Sequence, residues 1–110
     1  MPRPKKLRFV SGYPVIAAFV PQGMPATGEV FLSIVELESI RLSDFEGLDQ
    51  ETAARLMQVS RQTYGRILSK ARGIIGEALI TGKALKIKGG TYELRGARMR
   101  RRRRGGRGNI

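Results

Sequence analysis

The chain is 110 residues long, room for one small domain with a single modest core. It contains no cysteine and no histidine, which removes disulfides, the usual zinc, haem and iron–sulfur ligand sets, and nucleophile–histidine catalysis. Lys and Arg number 21 against nine Asp and Glu, a net +12 that predicts affinity for polyanions, nucleic acid first and anionic membrane second.

The charge is uneven. Eight arginines lie from Arg95 onward, where there is no acid, so residues 1–94 hold 13 basic and nine acidic side chains, a net +4. The nine acids are scattered and form no paired motif, so a carboxylate-only Mg²⁺ site has nothing to build on. We therefore expect no cofactor, no metal and no enzyme.

Residues 1–28 are rich in Pro and Gly and read as an extended arm with one or two short strands, "KLRFV" and "VIAAFV". The run "VIAAFV" (15–20) is far too short to span a bilayer. The basic start "MPRPKKLR" imitates a signal peptide, but Gly12, Pro14 and Pro21 break what would be its apolar core. The expectation is a soluble cytoplasmic protein with no membrane partner.

A domain is predicted over 29–94. In "SIVELESIRLSDFEG", Ser33 and Glu36 make a capping box and Gly47 marks a stop. Ile34, Leu37, Ile40 and Phe45 define the buried face, widened by Val35 and Leu42. Asp49 caps a second, short helix, "QETAARLM", with small Ala53 and Ala54 in its middle. After "QVS", Ser60 caps a third helix running to about Ile80. Its apolar residues Tyr64, Ile67, Leu68, Ala71, Ile74, Ile75, Ala78 and Leu79 follow helical spacing. Gly82 ends it. "ALKIKGGTYEL" then reads as a small hairpin or as a strand with a tight Gly-Gly turn. Residues 95–110, "RGARMRRRRRGGRGNI", are low-complexity and self-repelling, the composition of a disordered tail.

Short helix, three-residue turn, longer helix is the layout of a helix-turn-helix unit. The fold class expected is mainly α: a three-helix helix-turn-helix domain flanked by short, wing-like β-strands or a hairpin. Close crossing of two helices explains the alanines, and Val59 supplies an apolar plug for the turn. Gln58 stands where the turn favours glycine for its positive φ.

With Tyr64 at the centre of the buried side, steps of about 100° per residue put Gln62, Arg66 and Ser69 opposite it, flanked by Thr63 and Lys70. Arg61 projects near the helix start. Arg suits guanine edges, Gln adenine, and Thr the thymine methyl. No acid occurs between Glu51 and Glu77. Candidate base contacts are Arg61, Gln62, Thr63 and Arg66, with Arg61 also able to hold a phosphate. Candidate phosphate contacts are Ser60, Ser69, Lys70, Arg72, Lys86 and Lys88. Taken alone, the third helix is equally well read as a solvated face. The capped helix before it, the "VS" turn and the net charge favour double-stranded DNA as partner.

The stretch "DQETAARLMQVSRQTYGRILSKA" resembles region 4 of bacterial sigma factors, which implies that Arg61, Gln62 and Arg66 match base-contacting positions. More specifically, the chain resembles the family called domain of unknown function 134, small prokaryotic proteins expected to bind DNA. The matching pieces are "MPRPKK" (1–6), "FVPQGMP" (19–25), "ELESIRLSDFEGLDQETAARLMQVSRQTYGRILSKAR" (36–72) and "GKALKIKGG" (82–90). That resemblance implies a transcriptional regulator with a strand-decorated three-helix domain. Many members carry a Cys where this chain has Leu7, so any metal or redox sensing there is not transferred.

The tail lies outside the resemblance. Arg100, Arg101, Arg102, Arg103 and Arg104 suit sequence-blind, salt-sensitive phosphate contacts, on RNA as well as DNA. A solubilising terminus explains them too. Gly73 and Gly76 admit either close approach of a second subunit or simple tolerance near a frayed end. Lys83, Lys86 and Lys88 read as a wing touching phosphate or as a lysine-guarded strand edge. A homodimer is expected, because one small helix-turn-helix reads too few base pairs. The competing readings are an RNA-binding or ribosome-associated protein driven by the tail, and a protein–protein module docking on the transcription machinery.

Overall fold

The computed structural model describes residues 8–12, 17–89 and the backbone of 92–94. The basic start, Leu7, and the tail from Arg95, with Arg100–Arg104, lie outside the described residues. In chain order the elements are β1 (Arg8–Val10), β2 (Ala18–Phe19), β3 (Glu29–Leu32), α1 (Ile34–Ile40), a π-helical turn (Arg41–Phe45), α2 (Gln50–Met57), α3 (Arg61–Thr81), β4 (Ala84–Ile87) and β5 (Tyr92–Leu94). The fold is mainly α with short flanking strands. Among the described residues no helix is long and apolar enough to cross a membrane.

Each helix starts where a polar side chain meets its free N–H groups. The Ser33 Oγ accepts from the Glu36 N–H at 3.0 Å, and the Glu36 carboxylate accepts from the Ser33 N–H at 2.8 Å. Asp49 accepts from the Thr52 N–H at 2.7 Å and Ser60 from the Thr63 N–H at 3.0 Å. Gly82, at φ +78, closes α3 by donating its N–H to the Ala78 carbonyl at 3.0 Å.

The first helix departs from its expected face. After Ile40 the bonding lengthens to i→i+5, and the Glu46 N–H donates to the Arg41 carbonyl at 2.8 Å. A π turn rotates each residue less than an α turn does. Leu42 therefore stays 1% exposed while Phe45 swings out to 82%. The most buried line is Val35, Glu38, Ser39 and Leu42, whereas Ile34, Leu37 and Ile40 are half-buried. Leu79 is a second departure, 77% exposed although its spacing places it with the buried residues of α3. Its neighbour Ala78 is still buried, so only the outward side of the last turn leaves the core.

The core joins Val10, Val35, Leu42, Ala53, Ala54, Met57, Tyr64 and Leu68. Val10 comes from β1, so the N-terminal stretch contributes a wholly buried side chain. Ala53 and Ala54 let α2 and α3 approach, and Val59 packs against the cluster as the expected plug. The Tyr64 hydroxyl is satisfied inside, donating to the Ser39 carbonyl at 3.0 Å with Ser43 Oγ at 2.5 Å. A buried hydroxyl without such partners would cost about 1–3 kcal/mol.

The hairpin reading is corrected. β4 pairs in parallel with β3 and antiparallel with β2, while β5 runs parallel to β1 in a separate two-stranded sheet. With both edges of β4 occupied, no edge remains for β5. Gly89, at φ +88, follows β4, and its carbonyl accepts from the Ile34 N–H at the start of α1. A Cβ at Gly73 or Gly76 would meet nothing within 4 Å, so no internal packing requires either glycine.

Candidate nucleic-acid interface

The turn between α2 and α3 is built from three consecutive decisions. Gln58 adopts φ 58, ψ 46, the left-handed conformation, at the C-cap of α2. The Val59 N–H donates to the Ala54 carbonyl at 3.0 Å, which turns its side chain toward the core. Ser60 is extended and caps α3. Its hydroxyl also donates to Thr63 Oγ1 at 3.0 Å, so Thr63 is half-buried and locally engaged. A Cβ at Gly65 would meet only the Gln50 amide oxygen, at 3.4 Å, an ordinary contact, so the crossing itself does not require glycine there.

Ser60, Arg61, Gln62, Arg66, Ser69, Lys70 and Arg72 are all exposed along the first three turns of α3. Among the described residues no side-chain hydrogen bond or ion pair holds Arg61, Gln62 or Arg66. Their donors are open to a ligand at the N-terminal end of a 21-residue helix, where free backbone N–H groups also favour an anion.

The phosphate candidates are placed differently. Arg72 grips Asp44 at two points, Nη2–Oδ1 2.7 Å and Nε–Oδ2 3.2 Å. That guanidinium holds the Asp44 carboxyl below its ordinary range against a small opposing effect of burial. Lys70 Nζ lies 3.7 Å from Glu36, and Lys86 Nζ 2.9 Å from Glu29. Lys88 stacks its ammonium 4.9 Å from the Phe31 ring centre. Exposed pairs of this kind are worth at most about 1 kcal/mol and yield to a stronger anion.

The strands do not bring their lysines beside the exposed row at the start of α3. Leu32, Leu85 and Ile87 line a groove with Ile75, Ala78 and Leu79, so the three-stranded sheet lies against the C-terminal half of α3. That is roughly 20 Å along the axis from Arg61. Lys86 and Lys88 alternate with Leu85 and Ile87 and stand on the sheet's other face.

One polar cluster escaped the sequence reading. Glu38 is only 4% exposed, and its carboxylate accepts from Ser11 Oγ at 2.7 Å and from Arg41 Nε at 3.1 Å. Arg41 also donates to Glu46 at 2.5 Å and to Ser11. Burial pushes the Glu38 carboxyl up, but hydrogen bonds from Arg41 and Ser11 outweigh it and hold the group below its ordinary value. The i,i+3 spacing of Glu38 and Arg41 was legible; that the pair would be covered by Ser11 from 27 residues upstream was not. This network ties the segment just after β1 to the π turn. Among the described residues no group of three or more acidic side chains is placed to hold a metal ion.

The family model described as "protein of unknown function DUF134" matches residues 1–95. A UPF0251 protein of Caldanaerobacter subterraneus subsp. tengcongensis is 48% identical over 102 residues, covering 91% of this chain and 86% of that protein. A UPF0251 protein of Thermoanaerobacter sp. (strain X514) is 46% identical over 112 residues, covering 96% and 99%. One from Halothermothrix orenii is 54% identical over 96 residues, covering 86% and 71%. No solved structure matches the chain. With nearly its whole domain matched and its relatives aligned almost end to end, the chain belongs to the DUF134 family, whose function is unknown.

Proposed function

We propose that this protein is a sequence-specific DNA-binding transcriptional regulator that works by binding rather than catalysis. The N-terminal half of α3 enters the major groove. Arg61, Gln62 and Arg66 read base edges, Thr63 contributes its methyl group, and Ser60, Ser69, Lys70 and Arg72 hold phosphates. Lys86 and Lys88 reach the backbone only from the flank. The Arg-rich tail adds sequence-blind affinity for DNA and RNA, which would associate the protein with the nucleoid in the cytoplasm. Two copies bind two half-sites.

The observation that carries this reading is the row Arg61, Gln62 and Arg66, exposed and unengaged on a capped helix that contains no acid before Glu77. A merely solvated helix would gain from pairing such arginines with acids on neighbouring turns, as Arg41 of the π turn pairs with Glu38 and Glu46.

The test is a salt series of binding to genomic DNA fragments with the full chain, a chain ending at Leu94, and Arg66→Ala in each. The expected result is that the shortened chain still selects particular fragments at high salt and that Arg66→Ala loses the selection. If selection never appears and all affinity leaves with the tail, the tail-driven RNA reading replaces this one.

A further inference from the structure

Lys70 and Arg72 stand two residues apart on α3, which sets them roughly 160° apart around its axis, with the line of Gln62 and Ser69 between them. They mark the two edges of the exposed face, and each is held by a carboxylate from the first helical segment. Lys70 Nζ lies 3.7 Å from Glu36 of α1, and Arg72 grips Asp44 of the π turn through two nitrogens, at 2.7 and 3.2 Å. One element reaches both edges because it passes across the buried side of α3, where the Tyr64 hydroxyl meets Ser43 and the Ser39 carbonyl. Arg61, Gln62 and Arg66 have no such partner among the described residues.

The division has an electrostatic meaning. A major groove about 12 Å wide receives a helix roughly 10–12 Å across, so the edges of an inserted face meet the two phosphate backbones and its middle meets the bases. A phosphate can take Lys70 or Arg72 only after a carboxylate releases it. The two-point grip of Asp44 on Arg72 has the geometry that a phosphate would adopt there. Both cations are well exposed, Lys70 to 73% and Arg72 to 54%, so water screens the pairs and they yield to a polyanion.

We propose that Glu36 and Asp44 are internal counterions of the DNA-facing helix, positioning residues that occupy Lys70 and Arg72 in the free protein and release them to phosphate on binding. This names a regulation of the same site and rests on the DNA-binding reading. A free surface cation that neutralises a phosphate releases condensed counterion, so its contact weakens as salt rises. A cation drawn from a carboxylate leaves an acid that gathers a cation of its own, and the exchange releases little net salt. The two acids therefore lower affinity for DNA of any sequence at low salt and flatten its dependence on ionic strength. In a chain of net +12 that restrains indiscriminate binding to polyanions.

The test is a salt series of binding to random-sequence duplex DNA with the full chain, Asp44→Asn, Glu36→Gln and the two combined. Each change keeps the size of the side chain, and glutamine still accepts the Ser33 N–H in a capping box. Each alone should strengthen binding by up to about fivefold at low salt and steepen the salt slope by about one, and the two together by about two. Asp44→Asn should add nothing in the Arg72→Gln background, nor Glu36→Gln in the Lys70→Gln background. Slopes that stay put overturn the proposal. So do slopes that move equally without Arg72 and Lys70, since they would report the loss of an acid anywhere rather than of these contacts. Selection of genomic fragments by the parent, with slopes indifferent to both acids, sinks the counterion role alone. Slopes that respond only through Arg72 and Lys70, with no fragment selected, sink the sequence-specific reading alone.

Discussion

Arg66 and Arg72 lie six residues apart on α3, yet their chemistry differs because Asp44 holds Arg72 and, among the described residues, nothing holds Arg66. Arg66→Ala should weaken specific binding by about 1–3 kcal/mol and relax selection at one base position, while leaving the salt slope nearly unchanged. Asp44→Asn should do the reverse. Freeing Arg72 makes a phosphate contact easier, so non-specific affinity should rise and the salt slope steepen by about one counterion, at a stability cost of about 0.5 kcal/mol or less. Filter binding across a salt series checks both. Gln58 pays for the turn with a left-handed backbone that glycine adopts freely. Gln58→Gly should therefore raise stability by about 0.5–1 kcal/mol, read as a thermal midpoint several degrees higher. Had the turn relied on a contact of the Gln58 side chain, the midpoint would drop instead. The exposure of Arg61, Gln62 and Arg66 was legible because a row at helical spacing needs only the helix and one buried marker, Tyr64. The engagement of Lys70, Arg72 and Lys86 was not, since their acids arrive from other elements.

At the scale of elements, caps and turns are contacts between residues three or four apart, and all three N-caps and the Gly82 stop stand where the sequence puts them. Ser60→Ala should cost about 1 kcal/mol of stability and fray the turn that carries Arg61 and Gln62. Hydrogen exchange at the Thr63 amide would show it; unchanged protection there would mean that packing alone holds the helix start. The first helix shows the opposite case. Periodicity assumes one rotation per residue, and the π turn breaks that assumption, sending Phe45 into solvent. Phe45→Ser should therefore change stability by no more than about 0.5 kcal/mol, whereas a core change such as Leu68→Ala should cost about 2–5. The strands were legible as strands but not as partners. β4 is claimed from both sides by β3 and β2, which stand 50 to 70 residues upstream, and that competition decided against the hairpin.

Across the whole molecule the carboxylates govern the response to acid. Glu38, Asp44, Asp49 and Glu29 are all held below their ordinary values in the folded protein, by hydrogen bonds from Arg41 and Ser11, Arg72, the Thr52 N–H and Lys86. Depressed folded values mean that their contribution is complete above the ordinary carboxylate range and is lost as pH falls through the folded values. The urea midpoint should stay flat from pH 7 to about 5 and fall steeply below about 4.5. Glu38→Gln should remove part of that fall and cost about 2 kcal/mol at neutral pH, since Arg41 loses its covered partner. A profile unchanged by Glu38→Gln would show that the network adds nothing to the fold. What the sequence by itself determined about this protein is local: where the helices begin, which way the polar face of the first half of α3 points, that a turn joins α2 to α3, and that the balance of charge is basic. Such features depend on neighbours within one helical turn. Only the tertiary structure decided that Val10 closes the core, that Glu38 is buried beneath Ser11, and that β4 joins two distant strands. It also left Leu79 and Val20 facing a common groove, because burial and strand pairing depend on which remote segments win each place in the packed chain.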